Sequence, residues 1–188
     1  MGNWATENGE WTRRFRSWLT PLHSRRRPTV QDKKISDLDQ LVQALSQPRQ
    51  AGEKVALANG AFDLLHVGHV RYLQGAKELA DILVVAVNDD ESVKSLKGEG
   101  RPVFPIEERL EMVAALEVVD FVVAFSELDV RAVIRALKPD VHVKGTDYTP
   151  ETVPERDEVE AYGGKVAVAG DPKDHSTSGI LDTLSRGR

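Results

Sequence analysis

The chain has 188 residues and 40 % apolar composition, enough for one domain of about 150 residues with a buried core plus an appendage; it has no run of about 18 apolar residues and no apolar signal core, so a membrane span is not expected and the cytoplasm is. Zero cysteines exclude disulfides, zinc–thiolate sites and thiol nucleophiles, which leaves His, Lys, Arg, carboxylates and backbone dipoles for any chemistry. Of the net charge of −5, residues 1–34 hold eight Lys/Arg against three Asp/Glu and the remainder seventeen against twenty-seven, and so acidic a body argues against nucleic acid as a partner.

Two regions are expected: a basic, Trp-containing arm over 1–32 and a folded domain over 33–188. In the arm, Trp4, Trp11 and Trp18 recur every seven residues with Phe15 between them, while Arg13, Arg14 and Arg16 fall on other faces. That is the pattern of a basic amphipathic helix, with docking on the domain or a second subunit expected first, disorder second and an anionic membrane third; Gly9 and the short length weigh against the helix. From Ser36, Leu38, Leu41, Val42 and Leu45 repeat at helical spacing behind a Ser36/Asp37 cap, and Pro48 is expected to end the run.

Short Val- and Ile-rich runs then alternate with amphipathic stretches. Strands are expected at Val55 to Ala58, Ile82 to Val87, Phe121 to Ala124, Val141 to Val143 and Val166 to Ala169, and helices near 67–80, 107–118, 128–137, 155–162 and from Ser176. The strands are apolar throughout rather than alternating, as when helices cover both faces of a parallel sheet. The class is α/β, a Rossmann-like doubly wound parallel sheet of five strands.

The first strand runs into Asn59-Gly60-Ala61-Phe62-Asp63-Leu64-Leu65-His66-Val67-Gly68-His69, and a helix opens directly behind it. In such folds ligands sit at the carboxyl ends of strands, and the first strand-to-helix turn is a favoured place. Two imidazoles three residues apart in the first helical turn share a side of the helix, whose free N–H groups attract anions. Gly68 lets a phosphate approach the backbone with no Cβ in the way. The pattern suits phosphoryl or nucleotidyl transfer, in which the protein positions groups and stabilises charge on non-bridging oxygens.

The stretch NGAFDLLHVGHVRYLQGAKELAD resembles the signature of the cytidylyltransferase-like (HxGH) nucleotidyltransferases, in particular the bacterial D-glycero-β-D-manno-heptose 1-phosphate adenylyltransferases. The likeness continues through VNDDESVKSLKGEGRPVFPIEERLEMVAALEVVDFVV, LKPDVHVKGTDYTPE, EVEAYGGKV and HSTSGI, covering about 33 to 185 in order. The resemblance implies an HxGH-type fold and transfer of AMP from ATP to a sugar 1-phosphate, heptose 1-phosphate first, giving ADP-sugar and pyrophosphate. Mg²⁺ is implied as a cofactor bound mainly through the nucleotide phosphates, and a homo-oligomer and a separate sugar kinase upstream are implied as partners. The alternatives are a cytidylyltransferase acting on a polyol phosphate such as glycerol 3-phosphate and, from another class, a non-catalytic nucleotide-binding sensor.

Carried over residue by residue, the resemblance implies that His66 and His69 stabilise the transition state at the α-phosphate. Lys97, in the LKGEGRP loop, would reach the phosphates, with Lys94 the second choice, and Arg109 would be a further cationic contact. Ala61, Phe62, Asp63, Gly68 and Asp147 would shape or line the nucleotide site, and Ser176, Thr177 and Ser178 would bind the β- and γ-phosphates. Lys144, by its place at the end of the fourth strand, faces the same cleft and is the candidate for the acceptor's phosphate.

Each residue also has a plainer reading: Lys97 as a solvated loop charge, Arg109 as a surface pair with Glu107 or Glu108, Asp147 as turn chemistry, the Ser/Thr run as an N-cap, Lys144 as a solubilising charge. His142 reads as structural. The chain departs from its relatives at Ala61, where they carry cysteine or threonine, at Thr146, which replaces a glycine, and over 170–174; these touch substrate identity more than reaction type. Met1-Gly2-Asn3-Trp4-Ala5-Thr6 fits an N-myristoylation pattern, a match the bacterial resemblance makes accidental.

Overall fold

A computed structural model describes residues 34–171. The basic arm, the closing Ser176-Thr177-Ser178 motif and the helix expected behind it lie outside the described residues.

Helix α1 (Leu38–Gln50) starts at Asp37, whose side chain accepts from the Gln40 N–H at 2.8 Å. Pro48 does not end it: it sits in the last turn of a helix that runs on to Gln50, where only one ladder hydrogen bond is lost. There follow β1 (Val55–Gly60), α2 (Val67–Lys77), β2 (Ile82–Asn88), α3 (Asp90–Lys97), α4 (Ile106–Ala114), β3 (Phe121–Phe125), α5 (Arg131–Leu137), β4 (Val141–Lys144), α6 (Arg156–Glu160) and β5 (Lys165–Val168). All five expected strands form, each displaced by two residues or fewer at either end.

Helix α3 is new relative to the sequence reading, which placed Lys97 in a loop; Lys97 is its last residue. The signals for it are local. Asp89 caps Ser92 N–H at 2.8 Å, Asp90 and Glu91 fill the first turn, Lys94 and Lys97 the last, and Gly98 at φ 92° ends it in a conformation side chains resist.

The strands form one parallel sheet in the order β3-β2-β1-β4-β5. Pleating sends Val55 and Leu57 of β1 to one face, where they meet Leu41 and Leu45 of α1, Val133 and Ile134 of α5 and Val159 of α6. Ala56 and Ala58 go to the other face with Leu73 and Ala76 of α2 and Val113 and Ala114 of α4. Helices therefore cover both sides, which explains why the strands read as unbroken apolar runs. The chain winds outward from β1 in both directions, so the strand order reverses at the β1/β4 seam, where a crevice opens beyond the strand ends. No helix among the described residues is long and apolar enough to cross a membrane.

Candidate active site

A cleft of about 670 Å³ opens over this seam. Its β1 side is lined by Asn59, Gly60 and Phe62, then His66, Gly68 and His69 from the head of α2, and Lys97 from the end of α3. Its β4 side is lined by Lys144, Gly145, Thr146, Asp147 and Tyr148. The turn after β1 bends sharply because Phe62 takes φ 45°, a left-handed conformation unusual for a bulky residue and concentrated at functional turns. That bend buries the Phe62 ring 5.2 Å from the His69 ring.

His66 stands at the N-cap of α2 in extended conformation, and its side chain makes no bond to the first-turn N–H groups. The His69 N–H bonds back to His66 O at 3.0 Å, and the head of α2, where the helix carries partial positive charge, lines the cleft, an arrangement that favours an anion. The His66 ring stacks on His69 with centroids 3.9 Å apart and planes 27° from parallel. Burial, reinforced by the neighbouring His66 and Lys97, pushes the His69 pKa down to about 4. At neutral pH His69 is a neutral imidazole, able to donate one N–H to a phosphate oxygen.

Lys144 is almost fully buried at the cleft floor. Its ammonium donates to Asn59 Oδ1 at 3.0 Å and Glu155 Oε1 at 3.3 Å, and sits 5.5 Å from the centre of the Tyr148 ring. Burial lowers its pKa, while the Glu155 carboxylate acts the other way. The second Glu155 oxygen lies 3.6 Å from Nε2 of His142, which is fully buried and whose pKa burial also lowers.

Three of the residues proposed from sequence do not line the cleft. Ala61 turns its carbonyl to Arg109 Nη1 at 2.6 Å. Asp63 is fully buried: Oδ1 accepts from the Val103 N–H at 2.6 Å and the Phe104 N–H at 3.3 Å, and Oδ2 is ion-paired with Arg101. Arg109 is fully buried as well, donating to Phe104 O, Ala61 O and Asn88 O at 3.0, 2.6 and 2.7 Å and pairing with Asp90 at 2.6 Å. In this conformation it braces three loops instead of presenting a cation to the cleft, and it makes no surface pair with Glu107 or Glu108.

Other lining residues escaped the sequence reading. Tyr72 of α2 donates its hydroxyl to Val143 O at 2.7 Å and so straps α2 across the seam. Arg71 pairs with Asp171 at the mouth, and Asp129 and Glu155 add carboxylates to the β4 side. Tyr72 follows His69 three residues on, at helical spacing, and was within reach of a pattern argument; Arg71, two residues on, was not, and Glu155 depends on how α6 meets β4, for which no local signal exists.

A doubly wound sheet with a stacked histidine pair at the head of its first crossover helix defines an α/β nucleotidyltransferase of the HxGH kind. Residues 57–181 match the profile of the Cytidylyltransferase-like family, and the chain belongs to that family. It is 47 % identical over 155 residues to the bifunctional protein HldE of Geobacter metallireducens and 47 % identical over 154 residues to that of Yersinia pestis. Each match covers 82 % of this chain and 32 % of the relative, so the chain spans about a third of the length of these relatives. Among solved structures it is similar to a lipopolysaccharide core biosynthesis protein of Thermoplasma volcanium, with TM-score 0.57, 29 % identity, and coverage of 65 % of this chain and all of that one. The pantoate–beta-alanine ligase of Francisella tularensis shares the fold at TM-score 0.50 and 16 % identity, covering 77 % of this chain and 69 % of that one.

Proposed function

We propose that the chain transfers AMP from ATP to a sugar 1-phosphate, heptose 1-phosphate before others, releasing pyrophosphate. The observation that carries this reading is one continuous cleft with His66, His69 and Lys97 on its β1 side and a buried lysine, Lys144, on its β4 side. A volume of about 670 Å³ suits a nucleotide and a small acceptor together. The similarity to a protein of lipopolysaccharide core biosynthesis favours a sugar as acceptor.

An oxygen of the acceptor phosphate attacks the α-phosphorus of ATP. A new P–O bond forms, the bond to the β-phosphate bridging oxygen breaks, and pyrophosphate leaves with the electron pair. His66 and His69 donate to the non-bridging oxygens as charge builds there, Lys97 meets the β- and γ-phosphates, and Lys144 holds the acceptor phosphate. Ser176, Thr177 and Ser178 are assigned to the same phosphates by resemblance alone. Mg²⁺ is expected as cofactor, supplying charge neutralisation on the triphosphate. The described residues contain no cluster of three or more His, Asp or Glu able to hold a metal, and an ion carried on the substrate's own oxygens needs none.

The test is pyrophosphate release with Mg²⁺ across ATP, CTP, GTP and UTP, crossed with heptose 1-phosphate, other sugar 1-phosphates and glycerol 3-phosphate, with products identified by mass. The expected result is turnover with ATP and heptose 1-phosphate. CTP with glycerol 3-phosphate would replace it by the polyol reading, and nucleotide binding without pyrophosphate by the sensor.

A further inference from the structure

Lys144 has three N–H donors, of which Asn59 and Glu155 take two, and its side chain forms part of the cleft floor. An ammonium so deeply buried loses its proton at modest pH unless a counter-charge is fixed beside it. Glu155 supplies one from an unusual position. It stands at the N-cap of α6, yet its carboxylate makes no bond to the helix's first-turn N–H groups and turns inward, one oxygen to Lys144 and the other to His142.

We propose that Glu155 is a positioning residue that keeps Lys144 protonated and fixed at the cleft floor, so that the acceptor's phosphate meets a permanent cation through the remaining N–H. The acceptor half of this inference rests on the transfer reaction proposed above. His142 lies beside the second carboxylate oxygen, its Nε2 3.6 Å away, longer than a hydrogen bond but close enough for the ring's polar edge to favour the ionised carboxylate. Burial opposes the ionised carboxylate, but the His142 contact and the Lys144 charge outweigh it and hold the Glu155 pKa at about 2, so the carboxylate is charged at any working pH. Around Lys144, the remaining titratable groups are Asp129 and Asp147 on the cleft wall, Tyr148 over the ammonium and Tyr72 beneath β4. The specificity consequence is that a phosphorylated acceptor is favoured over its unphosphorylated sugar by a charge this pair maintains.

The variant is Glu155→Gln, which keeps size and removes charge. Without the carboxylate, Lys144 must either stay charged unpaired or give up its proton, and the cost of giving it up shrinks as pH rises towards the pKa of an exposed lysine. The melting temperature of the variant should therefore lie about 5 °C or more below wild type at pH 6, with the gap at least halved at pH 9.5. With an acceptor from the panel, kcat/KM for the acceptor should approach wild type at pH 6 and fall about tenfold or more at pH 8.5, the scale of one buried charged contact, while the KM for ATP moves less than about twofold. A gap in melting temperature that does not change with pH would overturn the inference, since a merely structural Glu155 predicts that. A gap that narrows while acceptor kcat/KM stays wild-type at every pH would overturn the acceptor assignment. The melting curves need no substrate, so they decide on Glu155 even where no acceptor turns over and the transfer reading itself has failed.

Discussion

His66 and His69 touch each other face to face, and the two rings share one electrostatic environment. Two adjacent imidazolium ions would repel, so protonation of one opposes protonation of the other, and burial already holds the His69 pKa at about 4. Replacing either by alanine removes one preorganised donor at the α-phosphate, and turnover should fall roughly 10²- to 10³-fold in single-turnover assays, with nucleotide affinity much less affected. Wild-type rates in both variants would remove the mechanism. The same shift predicts how stability follows pH. An unfolded histidine titrates near 6.5 and folded His69 near 4, so between those values the unfolded chain binds the extra proton. Stability is thus fully present above about pH 6.5 and declines as pH falls towards 4, by on the order of 2–3 kcal/mol from this residue. Urea melts of wild type and His69→Gln at pH 4.5 and 7.5 should show the decline to be smaller in the variant.

At the scale of elements, the segment between α3 and α4 is tied to the β1–α2 turn by Asp63, which accepts from the Val103 and Phe104 N–H groups and pairs with Arg101, and by Arg109, which reaches Ala61 O and Phe104 O. This tie holds the end of α3, and with it Lys97, beside the histidines. Asp63→Ala would leave Arg101 buried without its partner at a cost of about 3–5 kcal/mol, lowering the melting temperature by roughly 6 °C or more and raising the KM for nucleotide through looser placement of Lys97. An unchanged nucleotide KM in a folded variant would separate Lys97 from this tie. The strands were legible in the sequence because burial on both faces leaves a run of Val and Ile that tolerates no other reading. The histidines were legible because their spacing and the turn before them are local. Helix α3 was hidden by the Gly98 and Gly100 that follow Lys97, although its caps were present. The tasks of Asp63, Arg109 and Glu155 are set by which loops meet over the sheet, and no short-range pattern encodes that. An aspartate or arginine in a motif reads equally well as ligand or brace until its burial is known.

For the whole molecule, the seam under the cleft is where the sheet is held by the shortest ladder. β1 pairs with β2 along its full length, from Val55↔Ile82 to Gly60↔Val87, but with β4 only from Ala56↔Val141 to Ala58↔Val143. Two side-chain links reinforce that junction from above, Tyr72 to Val143 and Lys144 to Asn59. The residues proposed to hold ATP and the acceptor belong to opposite sides of it, His66, His69 and Lys97 on one and Lys144 and Asp147 on the other. A ligand that bridges them adds contacts across the weakest ladder, and local opening of β4 and β5 must then release the ligand as well. Hydrogen exchange should therefore slow on adding ATP and Mg²⁺ most in β4, in β5 and in the first turn of α2. At a hundredfold excess over Kd, amides that open by this route should gain about 2.7 kcal/mol of protection, roughly a hundredfold in rate. The central amides of β2 and β3, which open only with the whole domain, should gain no more than the global stability does. Equal protection of all strands, with none concentrated at the seam, would mean that the nucleotide does not span the two sides.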